Sequence, residues 1–164
     1  TSTGDVSEAS AIEYSVLVLN VQDIIICGHS ECGAMRAVIE RPALLDAPNL
    51  SKWLHYCTSA AFRLDQEGPL DASRSVHDQL SQMNVLVQLE HLMSYSIVQE
   101  RVRRGDLYLN GWWFDIAKGE MLAYERETRS FECIDRKTAE RFLERRDAEQ
   151  TEAGQAGAGQ TGAE

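Results

Sequence analysis

Long apolar runs are absent from this sequence. None approaches the ~20 residues that cross a bilayer, and the longest candidate, 16–21, is interrupted by Asn20. The opening residues, Thr1-Ser2-Thr3-Gly4-Asp5, offer neither a basic nor an apolar region, so no secretory signal is expected. Basic residues are few: 16 Lys and Arg stand against 26 Asp and Glu, a formal net charge of −10. Nucleic-acid partners need clustered cations to displace counterions, and this balance argues against them. The one dense basic run, Arg101-Val102-Arg103-Arg104, falls at an expected helix C-terminus, where it complements the helix dipole. Cysteine is sparse as well. Positions 27, 32, 57 and 133 show no compact framework spacing, which points to reduced thiols and a cytoplasmic setting.

What is present is a succession of helical and strand periodicities without an internal repeat, long enough for one domain with a core. Residues 10–21 read as a helix with Ile12, Val16 and Leu19 on one face and Asp5 or Ser7 as caps. Asp23-Ile24-Ile25-Ile26-Cys27 is a short β-branched run ending at Gly28, the pattern of a central parallel strand buried on both faces. Ala34, Met35, Val38 and Ile39 then have helical spacing, up to Pro42. Leu50, Trp53, Leu54, Cys57, Ala61 and Leu64 form the stripe of another helix, stopped by Gly68-Pro69. Ser75-Val76-His77-Asp78 matches a capping box and opens the most periodic segment, carried by Val76, Leu80, Met83, Val87, Leu89 and Met93.

A short helix at 97–104 ends at Gly105. Strand character follows at 107–116, 121–124 and 131–134, and a last helix at 137–146. The expected fold is α/β, a central, mostly parallel sheet flanked by helices with a C-terminal antiparallel, hairpin-like edge. Residues 1–146 make up the domain. The acidic Gly/Ala/Gln-rich tail 147–164 has no apolar side chain larger than Ala and is expected to be disordered.

The segment with chemistry in it is Cys27-Gly28-His29-Ser30-Glu31-Cys32-Gly33, a turn between the buried strand and a helix. It sets an imidazole and a thiol three residues apart, and zinc accepts both, at about 2.0–2.1 Å and 2.3 Å. Gly28 and Gly33 are expected to let the backbone bend there, and the following helix puts its positive end near Cys32. The end of a strand is also where open α/β sheets place their sites. Taken alone, His-x-x-Cys fits ordinary turn residues better than a metal pair; placed at a strand-to-helix turn between glycines, it fits the two equally. His55, His77 and His91 read as polar residues on helix faces, and Cys57, Cys133 and Cys27 as small apolar residues in packed faces.

Ile25-Ile26-Cys27-Gly28-His29-Ser30-Glu31-Cys32-Gly33-Ala34-Met35 resembles the second zinc-binding motif of the β-class carbonic anhydrases. Ala11-Ile12-Glu13-Tyr14, Asn84-Val85-Leu86-Val87-Gln88-Leu89, Asn110-Gly111-Trp112-Trp113-Phe114-Asp115 and Gly119-Glu120 continue the resemblance in order over roughly 12–124. It implies zinc-dependent hydration of carbon dioxide to bicarbonate, with carbon dioxide and bicarbonate as the small-molecule partners. His29 and Cys32 would be metal ligands, Gly33 a backbone contact to substrate, and the protein a homodimer or higher homo-oligomer. The family's other ligands come from a Cys-x-Asp-x-Arg segment, yet no Cys precedes Cys27 and no Arg precedes Arg36. The resemblance therefore implies a partial domain, with no catalytic residue identifiable in the chain and no activity from these residues alone. A Tyr marks one bicarbonate-inhibited subclass where this chain has Phe114, so that regulation is not expected. Two alternatives remain at this level: a non-catalytic dimerisation or binding module, and a hydrolase of a related linear substrate such as carbon disulfide.

Overall fold

The computed structural model describes residues 6–40 and 47–158; the proposed helix end at Pro42 and cap at Asp5 lie outside them. Four strands, β1 (Asp23–His29), β2 (Tyr108–Asp115), β3 (Glu120–Glu125) and β4 (Ser130–Cys133), form one sheet in the order β1-β2-β3-β4. β1 pairs with β2 in parallel, His29 lying beside Phe114, while β2–β3 and β3–β4 are antiparallel. The fold is α/β with a mixed sheet, and its parallel part is confined to the first pair. Gly119, with φ of 67°, makes the β2–β3 turn that a side chain would strain.

Among the described residues there are seven α-helices: α1 (Ser7–Glu13), α2 (Gly33–Glu40), α3 (Pro48–His55), α4 (Thr58–Glu67), α5 (Val76–Leu92), α6 (Ser96–Arg103) and α7 (Arg136–Ala158). α5 is the centre of the molecule. Its Leu80, Met83, Leu86 and Val87 pack with Met35, Cys57 and Ala60, while Val85 meets Trp113 and Leu122 on the sheet. Leu92 joins Val16, Val98 and Leu107 in a second cluster. Because α5 is covered on several sides, the single apolar stripe expected of it is broader, and Val76 at its start is 53% exposed. α7 runs through the first part of the segment whose composition marks a tail.

Two expectations fail for physical reasons. The helix expected to continue to residue 21 changes hydrogen-bonding after Glu13. Residues Tyr14–Val18 form a π-helical turn, and the Leu19 amide donates to the Tyr14 carbonyl at 3.0 Å. The wider turn rotates Leu19 out of phase with Val16, so Val16 is fully buried and Leu19 58% exposed. β1 is not buried on both faces either. Ile24, Ile26 and Gly28 face the helices, but Asp23, Ile25, Cys27 and His29 are exposed, with Arg146 of the last helix reaching Asp23 from that side.

Candidate metal centre

β1 ends at His29, Ser30 and Glu31 make the turn, and Cys32 precedes the first residue of α2. Strand alternation places His29 on the exposed face, and the turn carries Cys32 back to a half-buried position against the α2–α4–α5 cluster. His29 Nδ1 lies 2.8 Å from the Ser30 carbonyl oxygen. A carbonyl only accepts, so Nδ1 carries the proton and Nε2 is left as the outward lone pair, the arrangement usual for a ligating histidine.

The turn is held from two directions. From the sheet, Ser30 N–H donates to the Phe114 carbonyl at 2.9 Å, and Ile116 N–H donates to Ser30 Oγ at 2.9 Å. From α5, Asp78 Oδ1 accepts the Glu31 N–H at 2.8 Å, and Ser81 Oγ donates to the His29 carbonyl at 2.9 Å. Ser81 Oγ in turn accepts the Trp113 indole N–H at 3.1 Å. Arg74 lies over the Trp113 ring at 4.4 Å and reaches Asp115 Oδ2 at 2.8 Å. That guanidinium holds the Asp115 carboxyl below its ordinary range.

The glycines act differently from expectation. Neither Gly28 nor Gly33 has positive φ; the left-handed residue of the turn is Glu31, at φ 56°. Gly28 is required by close approach: a Cβ there would sit 2.7 Å from Val85 Cγ2 and 3.0 Å from Trp113 Cδ1. At Gly33 a Cβ would meet nothing within 4 Å, so the space over the turn is open to a small molecule.

Among the described residues, the one group of three potential ligands with donor atoms within 4.8 Å is Glu31, His77 and Asp78, not a set built on His29 and Cys32. His77 Nε2 is buried, 3.6 Å from Glu31 Oε1 and 4.0 Å from Asp78 Oδ1. Arg36 already pairs with Glu31 Oε2 at 2.8 Å, so the group is an ion-pair cluster around the turn. Sequence reasoning missed it because residues 31 and 77 meet only through the fold. The capping box was its one trace: Ser75 Oγ accepts the Asp78 N–H at 3.3 Å, which fixes Asp78 in the first turn of α5. His55 and His91 are exposed on helices, and Cys57 is buried as expected, whereas Cys27 and Cys133 are exposed. Desolvation nevertheless pushes the Cys27 thiol above its ordinary value.

A family model described as carbonic anhydrase matches residues 1–121. The carbonic anhydrase of Synechocystis sp. is 37% identical over 121 residues, covering 72% of this chain and 43% of that protein. The carbonic anhydrase of Pseudomonas aeruginosa is 37% identical over 124 residues, covering 75% and 56%. The chain thus spans about half the length of the curated relatives it matches. Among solved structures, the β-carbonic anhydrase CcaA superposes with a TM-score of 0.67 at 33% identity, over 77% of this chain and 62% of that one. A tetrameric β-carbonic anhydrase from Sordaria macrospora gives 0.62 at 27% identity, over 73% and 60%.

Proposed function

We propose, from the premise that this chain belongs to the β-carbonic anhydrase family, that it contributes His29 and Cys32 to a zinc site for the reversible hydration of carbon dioxide. The observation that carries the reading is the exposed His29 ring, its Nδ1–H committed to the Ser30 carbonyl so that Nε2 is free to ligate, with Cys32 three residues further along the same turn. An imidazole and a thiol at the end of a strand suit zinc's preference for nitrogen and sulfur donors. When bound, zinc supplies Lewis-acid activation of a water molecule. The chain's own residues hold and orient. Ser30 fixes the imidazole tautomer, the Ser30–Phe114 and Ser30–Ile116 hydrogen bonds tie the turn to β2, and open space over Gly33 admits a small substrate to its backbone N–H.

Two donors fall short of the three or four on which tight zinc binding rests. We therefore place the remaining ligands outside the described residues and expect these 164 residues alone to be inactive. A homo-oligomer in a reducing, cytoplasmic setting belongs to the same proposal. Its supports are the exposed Tyr14, Leu17, Val18 and Leu19 beside Val16, the four free thiols, and the tetrameric relative from Sordaria macrospora.

The test is carbon dioxide hydration, followed by stopped-flow with a pH indicator, on a polypeptide that joins this sequence to the remaining ligands. Turnover should vanish on chelation, return with zinc, and be lost in H29A and C32A. Turnover that survives chelation and both substitutions overturns the reading. Chelator-sensitive turnover by the 164 residues alone overturns the claim that they are inactive.

A further inference from the structure

We propose that Asp78 and Ser81, three residues apart on α5, are positioning residues for the His29–Cys32 turn, and that Ser81 makes Trp113 an optical reporter of what the turn binds. The inference rests on the reading of His29 and Cys32 as a metal pair, and deepens it. The two contacts made to the turn by β2 and the residue after it use backbone, the Phe114 carbonyl and the Ile116 amide, and any side chains there would supply them. The two from α5 are made by side chains and depend on those residues. They grip the turn on either side of Ser30: Ser81 at the His29 carbonyl, Asp78 at the Glu31 amide.

Each grip is placed where water is a poor substitute. Ser81 is 4% exposed, and its hydroxyl is used twice, donating to His29 and accepting from Trp113. Asp78 is 8% exposed and sits in the first turn of α5, where the helix dipole favours its negative charge. The amide it accepts belongs to Glu31, whose left-handed backbone is disfavoured for any residue but glycine. A charge-assisted hydrogen bond on that amide offsets the strain and keeps the imidazole and thiol on a common turn. The helical spacing explains why one helix makes both contacts: residues 78 and 81 lie on the same face, one turn apart.

Trp113 closes the chain of contacts. It is fully buried, while Trp53 is exposed and Trp112 half-buried. Its indole N–H ends on Ser81 and its ring lies under Arg74. A change at the His29 carbonyl therefore reaches a buried chromophore through one hydroxyl.

The experiment compares the 164-residue chain with D78A, D78N, S81A, W113F and C32A, with and without Co2+. Without metal, amide exchange across residues 30–32 should rise in D78A and S81A and return towards wild type in D78N, which keeps an acceptor oxygen. With metal, the Co2+–thiolate absorbance that C32A abolishes should need about tenfold more Co2+ in D78A and S81A. The Trp emission change on Co2+ addition should disappear in S81A and W113F. Unchanged exchange across 30–32 in both D78A and S81A overturns the proposal, as does a wild-type Co2+ midpoint in those two variants. No thiolate band in the wild type, with the turn still loosened in the variants, supports the positioning role, and the metal reading then stands or falls on the chelation test with the remaining ligands present.

Discussion

At the scale of single residues, the two glycines of the motif make opposite predictions. G28A forces a methyl against Val85 and Trp113 and should cost about 1–3 kcal/mol, read as a lower urea midpoint at unchanged m. G33A has open space at a first helical position and should be neutral or slightly stabilising. Equal midpoints for the two would refute the close-approach explanation. Asp115 gives a prediction in pH. The Arg74 guanidinium lowers its folded pKa, so the stability it contributes is complete above the unfolded value of about 3.9 and is lost as pH falls through the lower folded one. D115N should be less stable than wild type by about 2–3 kcal/mol at pH 7, and that gap should close below about pH 4 in denaturation at stepped pH. A gap that persists unchanged at pH 2 would contradict the ion pair. The turn between β1 and α2 was legible beforehand, with His29 and Cys32 on it. The partners were not: Asp78, Ser81 and Trp113 reach the motif from far along the chain, and local spacing carries no record of that.

At the scale of elements, the strands lie within one or two residues of where periodicity puts them, because alternation and turn residues are local signals. Environment was harder to read. Ile24-Ile25-Ile26 has the composition of a strand covered on both faces, yet Ile25 is 43% exposed and only β2 pairs with β1 among the described residues. Leu19 was misplaced for a different reason, since a π-helical turn shifts phase without any composition that announces it. The β1 edge is testable by hydrogen exchange. Amides of β1 directed at β2 should be protected and those directed away should exchange quickly, an alternation along residues 24–29. Uniform protection along the strand would mean that a second strand, from this chain or a copy, occupies the edge.

At the scale of the whole molecule, the sheet–α5 body and α7 are held by different forces. The body is apolar, centred on Leu80, Met83, Val85 and Trp113. α7 is fastened largely by charge: Arg145 to the buried Glu125 at 2.7 Å, Arg141 to Glu132 at 2.6 Å, and Arg146 to Asp23 at 3.0 Å. Its Leu143 is 59% exposed. Raising salt from about 0.1 M to about 1 M shortens the Debye length from about 10 Å to about 3 Å, and should speed amide exchange in α7 while leaving α5 unchanged. Equal responses in the two helices would show that α7 is held by apolar contact instead.

The uncovered side of β1 has a consequence for handling the protein. A row of backbone donors and acceptors beside Ile24, Ile25 and Ile26, with no proline or lysine to interrupt it, is a template for adding foreign strands. Concentrated solutions of the chain should grow thioflavin-positive assemblies, seeded from this strand and suppressed by a lysine at Ile25.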